Sequence, residues 1–242
     1  MPTSTVENYL KAIHGLGQSA GGRVSTGALA ERLSVTPGTV TTMVKQLAER
    51  RLIDYRPREG VRLTRSGRAV AVDVLRRHRL IELFLVEVMQ LDWSEVHAEA
   101  EALEHVISER MLERMDDMLG RPTRDPHGDP IPTAAGDLPM RALSPLSDAG
   151  EGVHVLGQIV GDDPAYLTWL ADHGLHPGAR VAVVGRDAFA GTIRVRVGGD
   201  ASGFDIGLTT AARLMVESGV RQGALAEVTP ERSTSGVDAS LL

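Results

Sequence analysis

Ser25-Thr26-Gly27-Ala28-Leu29-Ala30-Glu31-Arg32-Leu33-Ser34-Val35-Thr36-Pro37-Gly38-Thr39-Val40-Thr41-Thr42-Met43-Val44 reads as two short helices and the turn between them. Ser25-Thr26 caps the first, over 27–33, whose Leu29, Ala30 and Leu33 share one side. Ser34-Val35-Thr36 makes the turn. Thr36 caps the second helix, and Pro37 stands at its first position, where a missing N–H costs nothing. Val40, Met43, Val44 and Leu47 form its buried stripe, which leaves Thr39, Thr41, Thr42 and Lys45 to face outward. A preceding helix over 6–16 offers Val6, Leu10, Ile13 and Leu16 to the same core. Beyond it, 52–55 and 61–64 read as strands around the basic hairpin Arg56-Pro57-Arg58-Glu59-Gly60. Helix, turn, helix and basic wing make a winged helix-turn-helix over residues 1–70. Thr36, Thr39, Thr41 and Thr42 are its expected contacts to bases or phosphates, and Lys45, Arg58 and Arg62 its contacts to phosphates.

The charge distribution agrees with this reading. The whole chain of 242 residues carries a net −6, but residues 1–70 hold 11 Lys+Arg against 5 Asp+Glu, a net +6. Residues 71–140 hold 7 against 15, a net −8. A basic, phosphate-binding head is joined to an acidic, cation-binding body. There is no cysteine, so disulfides, thiolate zinc sites and cysteine catalysis are excluded. No stretch reaches the roughly 18 apolar residues of a membrane span, and the N-terminus lacks a basic region followed by an apolar run. The expectation is a soluble, cytoplasmic protein.

In the acidic body a helix over 66–89 carries His78 and Glu82 at i, i+4, and a second over 93–119 carries His97, Glu101, Glu104 and His105. Glu101, Glu104 and His105 stand at i, i+3 and i+4, so one helical face brings their tips together. With no thiolate available, the donors gathered here are oxygen and nitrogen, a set suited to manganese or ferrous iron. Met111, Met115 and Met118 form a core or dimer stripe, and long apolar helices after a winged helix domain supply a dimer interface. The body spans 71–140 and a linker 141–152. A small β-barrel follows over 153–220, with strands at 181–184 and 192–197 after a short helix at 166–172. A Ser-, Thr- and Gly-rich tail, 221–242, is expected to be disordered.

The order of these elements and five local motifs resemble the diphtheria toxin repressor and manganese transport regulator family of metal-dependent transcriptional regulators. The motifs are Glu7-Asn8-Tyr9-Leu10, the helix-turn-helix over 28–52, Arg77-His78-Arg79-Leu80-Ile81-Glu82, Glu101-x-x-Glu104-His105, and Pro126-His127-Gly128-Asp129-Pro130-Ile131-Pro132. The resemblance implies a mainly α fold with a β wing, a helical dimerisation and metal domain, and a C-terminal SH3-like barrel. It also implies a regulatory site at Asn8, Glu101, Glu104 and His105 and an ancillary one at His78, Glu82 and His97. A Glu at position 101 is the manganese-type residue of the family. Asn8 departs from the family's usual Met or Asp, and Lys11 stands where short manganese regulators have a metal-binding Glu. Gln158 and Gly161 fall near positions where the iron-responsive branch recruits barrel ligands.

The function implied is a homodimeric, operator-binding regulator of metal-uptake genes activated by Mn2+, with Fe2+ as the alternative. The His78–Glu82 pair, inside the helical body, has no evident link to the first helix. His14, His127, His154, His173 and His176 read as surface or capping residues. Two rival classes remain. A carboxylate-bridged di-iron enzyme would need Glu-x-x-His on two helices, and the helical stretches carry none. A winged-helix regulator sensing a small organic ligand would bind its operator equally well after chelation.

Overall fold

In the computed structural model, which describes residues 3–20, 22–139, 141–199 and 202–217, helices α1 (Ser4–Ala20), α2 (Thr26–Arg32) and α3 (Pro37–Glu49) form the head. Ser25 Oγ accepts the Ala28 N–H at 3.1 Å and Thr36 Oγ1 accepts the Thr39 N–H at 3.2 Å, so both expected caps are made. Leu29, Val40, Val44 and Leu47 are wholly buried together with Leu10 of α1. At about 1.5–3 kcal/mol for each such side chain, this stripe dictates which face of α3 stays in water. Strands β1 (Ile53–Arg56) and β2 (Gly60–Leu63) pair antiparallel from Ile53↔Leu63 to Arg56↔Gly60, and Val24 bridges to Val61 beside them. Gly60 has φ +100°, and a Cβ there would lie 2.3 Å from the Val24 carbonyl oxygen, so only glycine fits.

Thr64 caps α4 (Arg65–Glu87), the long helix against which α1, α5 and α6 pack. The single helix expected over 93–119 is instead two, α5 (Val96–Leu103) and α6 (Glu109–Met118). Between them stand the β-branched Val106 and Ile107, and Ser108, whose Oγ accepts the Met111 N–H and starts a new helix. The apolar period runs through the break, which is why periodicity alone misses it.

The remaining chain forms a six-stranded antiparallel sheet from β3 (Ser144–Pro145), β4 (Gly152–Ile159), β5 (Arg180–Asp187), β6 (Thr192–Val197), β7 (Phe204–Gly207) and β8 (Leu214–Glu217), in the order β3-β8-β4-β5-β6-β7. Helices α7 (Pro164–Asp172) and α8 (Leu208–Ala211) complete it, around a core that includes Leu156, Leu167, Val181 and Ile193. The expected linker 141–152 is shorter than read: Ser144 already pairs with Val216, and Leu146 is wholly buried in the sheet's core. A two-residue strand ending in proline has no alternation to detect. The tail from 221 lies outside the described residues.

The sheet docks on the helical body through the 125–130 turn. The Ile159 N–H donates to the His127 carbonyl at 2.9 Å, and Gly128 comes so near that a Cβ would lie 2.2 Å from the Gly157 oxygen. No described helix is long and apolar enough to cross a membrane.

Candidate metal centre

A cleft of about 690 Å³ opens where α1, α2, α4, α5, the 125–130 turn and the end of β4 meet. Helix α4 presents His78 and Glu82 on one buried face, and α5 adds His97. Glu82 Oε1 lies 2.9 Å from His78 Nε2 and 3.0 Å from His97 Nδ1, and those two nitrogens are 3.1 Å apart. Three donors converge on one point, and imidazole with carboxylate fits a divalent ion such as manganese or ferrous iron. On the other edge of His97, Nε2 is 3.2 Å from Asp162 Oδ2, which the barrel domain contributes.

His78 is nearly inaccessible to water. Burial pulls its pKa down, but hydrogen bonds to Glu104 and Glu82 outweigh burial and push it up to about 9, so both ring nitrogens carry protons. Nδ1 donates to Glu104 Oε2 at 2.6 Å. Burial acts to raise the Glu82 carboxyl, yet the hydrogen bonds from His78 and His97 prevail and hold it far below the usual range.

Three of the four residues expected at the regulatory site come together. His105 Nε2 is 2.8 Å from Asn8 Oδ1 and 3.3 Å from Glu104 Oε1. Glu101 does not join them: its exposed carboxylate faces Lys11 Nζ at 3.5 Å and His97 Nε2 at 3.6 Å. Shared helical spacing is therefore not what gathers this site. Helix α5 ends at Leu103, Glu104 is its C-cap, turned inward and wholly buried, and His105 lies beyond. The ammonium of Lys11 sits 2.8 and 2.9 Å from the two oxygens of Glu104. Burial alone would raise the Glu104 pKa; the hydrogen bond from His78 and the charge of Lys11 reverse that and lower it. The expected isolation of His78 from the first helix is also corrected, since His78, Glu104 and Lys11 form one hydrogen-bonded chain into α1.

Sequence reasoning missed several neighbours. Glu7 Oε2 is 2.6 Å from His105 Nδ1, the position from which a carboxylate orients a ligating imidazole. Glu82 also belongs to a second buried group with Asp125 and His127, whose ligand atoms lie within 4.8 Å of one another. His127 is no surface residue: its ring stacks on Trp93, and its Nε2 is 3.1 Å from the Trp93 carbonyl oxygen. Asp125 Oδ1 accepts the N–H groups of His127 and Asp129, while Arg79 pairs with Asp129 at 2.8 Å and approaches Asp125 only to 3.5 Å. Burial, then the charges of Asp129 and Glu82, pushes the Asp125 pKa well above the carboxylate range. Gln158 reaches the cleft and donates to Asp129 Oδ1 at 3.0 Å, and Gly161 lines it with backbone only. The Pro126-His127-Gly128-Asp129 motif carried the right residue types, but no helix or strand period selects their spacing.

At the other end of the head, Thr36, Thr39, Thr42 and Lys45 are exposed along the start of α3, whereas Thr41 is half-buried. The Thr41 and Thr42 hydroxyls donate back to the Pro37 and Gly38 carbonyls, which leaves their methyls and oxygen lone pairs for a partner. In the wing, Arg62 lies 3.9 Å from Asp54 and Arg56 3.2 Å from Glu59; among the described residues exposed Arg58, at the tip with φ +70°, makes no ion pair.

Comparison with known proteins agrees with this layout. The family model described as iron dependent repressor, N-terminal DNA binding domain, matches residues 1–61; that for the metal binding and dimerisation domain matches 64–133, and the FeoA domain matches 144–218. The iron-dependent repressor IdeR of Mycobacterium leprae is 36% identical over 192 residues, 74% of this chain and 83% of its own. The diphtheria toxin repressor of Corynebacterium efficiens is 32% identical over 194 residues, with the same coverage of 74% and 83%. A solved structure of a manganese-dependent transcriptional repressor in complex with manganese superposes with a TM-score of 0.79 at 40% identity, covering 88% of this chain and 99% of that one.

Proposed function

Because the chain belongs to the iron-dependent repressor family of metal-dependent, DNA-binding transcriptional regulators, we propose that it is a manganese-responsive repressor of metal-uptake genes. It binds double-stranded operator DNA as a homodimer, with exposed Met111 and Met118 on α6 among the apolar groups offered to the second copy. The observation that carries the metal assignment is the sulfur-free donor set: His105 Nε2 stands 2.8 Å from Asn8 Oδ1 and 3.3 Å from Glu104 Oε1, with Glu101 nearby across Lys11.

Asn8, Glu104, His105 and a reoriented Glu101 would hold the regulatory ion. Glu82 would serve the ancillary one, with His78 and His97 on one side and Asp125 and His127 on the other, and Asp162 of the barrel orienting His97 through its outer nitrogen, Nε2. A bound divalent ion supplies the positive charge that the Lys11 ammonium and the His78 proton otherwise give these carboxylates. Asn8 and Glu7 stand on α1, whose Leu10 and Ile13 are part of the recognition-helix core. Drawing Glu104 and His105 onto α1 thus fixes where α3 sits relative to α4 and the dimer body. Two recognition helices reach successive major grooves only when about 34 Å apart, so a small rotation of each head decides binding.

The test is fluorescence anisotropy on a labelled duplex selected from a random pool with Mn2+ present. Manganese should tighten binding, and His105→Ala should abolish that gain while the protein stays folded. Equal affinity after chelation refutes the reading. Activation by Fe2+ at lower site occupancy than Mn2+ would favour an iron-responsive regulator, the reading to which the similarity to IdeR points.

A further inference from the structure

Asp162 is the group the barrel extends to His97, yet it sits in a four-residue loop between β4 and α7 that has no side-chain core of its own. The loop is held by one residue immediately before the start of the neighbouring strand β8. The Arg213 carbonyl accepts the Val160 N–H at 2.8 Å, and Arg213 Nε donates to the Val160 carbonyl at 2.8 Å. Its guanidinium carbon lies 3.7 Å above the centre of the Tyr166 ring on α7. Between these anchors Gly161 adopts φ +111°, and a Cβ there would come within 2.0 Å of Arg213 Nη2. Asp163 then caps α7, its Oδ1 accepting the Tyr166 N–H at 2.8 Å. The chain is thus clamped on both sides of Asp162, and the guanidinium touches both clamps. Asp162 itself meets His97 at 3.2 Å and Arg32 of α2 at 3.8 Å, so its placement joins barrel, body and head.

We propose that Arg213 is a positioning residue for the ancillary metal site, holding the 160–162 loop so that the Asp162 carboxylate accepts from His97 Nε2 and orients the ring whose Nδ1 faces an ion shared with Glu82. The proposal rests on the reading that His97 is a ligand of that site. Arg213 touches none of the donor atoms, and its action runs entirely through the loop. Lysine cannot replace it, because an ammonium lacks both the flat face that lies on Tyr166 and the fixed Nε–H that bonds Val160.

The experiment is a double-mutant cycle on Mn2+ affinity by calorimetry, in a His105→Ala background so that the ancillary ion dominates the heat. Asp162→Asn should weaken binding, and Arg213→Met and Arg213→Lys should each weaken it about tenfold, within the range for outer-shell partners of metal ligands. The Asp162→Asn/Arg213→Met pair should bind no more weakly than Asp162→Asn alone, because the loop no longer carries a carboxylate to misplace. Gly161→Ala, whose methyl pushes the guanidinium off the loop and whose φ of +111° strains the backbone, should behave like Arg213→Met and covers the case in which that variant fails to fold. Additive losses, or wild-type affinity in the Arg213 and Gly161 variants, overturn the proposal. An unchanged affinity in Asp162→Asn overturns it together with the role given to Asp162, and a wild-type chain that binds no Mn2+ sinks the metal reading instead.

Discussion

Replacing Lys11 by methionine should make the protein less stable without metal and a better metal binder. Glu104 is wholly buried, and the Lys11 ammonium contacts both of its oxygens from a side chain that is 17% exposed. Removing one partner of a fully buried ion pair costs about 3–5 kcal/mol; the partial exposure of Lys11 brings this to about 2–3 kcal/mol. Methionine keeps the unbranched stem, so the loss is one of charge. Once a divalent ion sits on Glu104 the carboxylate has a cation again, and Lys11 is no longer needed. The metal-bound form therefore escapes most of the penalty, and by linkage Mn2+ affinity rises by the same 2–3 kcal/mol, about 30- to 150-fold. Urea denaturation with chelator present measures the first quantity, and calorimetric titration with Mn2+ the second. An affinity that stays level or falls while apo stability drops would show that Glu104 does not exchange its ammonium for the ion.

Three other outcomes are expected. The His78 pKa, raised from 6.5 to about 9, means its contribution to stability is fully present below pH 6.5 and fades as pH rises through 9; because Nε2 must shed its proton to ligate, Mn2+ affinity at the ancillary site should rise up to about tenfold per pH unit between 6.5 and 8.5, and a flat profile there would exclude His78 as a ligand. Arg58→Ala should weaken binding to all DNA sequences alike and lower the slope of log K against log salt by about 1, which anisotropy at several salt concentrations checks. Gly67→Ala should destabilise the head by about 2–3 kcal/mol in a denaturation midpoint, since its Cβ would fall 1.9 Å from the Leu52 carbonyl oxygen.

The head was legible because each of its elements is specified within itself. Ser25, Thr36 and Pro37 mark helix starts by local chemistry, and Val40, Val44 and Leu47 mark the buried face by spacing. The His78, Glu82 and His97 group followed from a resemblance supported by one helical pair, and its donors do converge. What failed depended on relations between elements. The apolar period across 103–109 hid a helix break, and with it the fact that Glu101 and Glu104 face different ways. Asp125 and His127 come from a turn and Asp162 from a loop, none with a period: bonds to Arg79 and Trp93 hold the turn beside Glu82, and a domain contact that no spacing encodes brings Asp162 to His97.

That contact bears on time as well as affinity. The 125–130 turn lies on β4 with no room for a side chain at Gly128, and the barrel thereby forms one wall of the cleft. An ion held between two domains leaves at the pace at which they part, however readily any single ligand lets go. On the proposed reading, derepression after metal runs short would then wait on a domain opening, and brief dips in supply would pass unanswered.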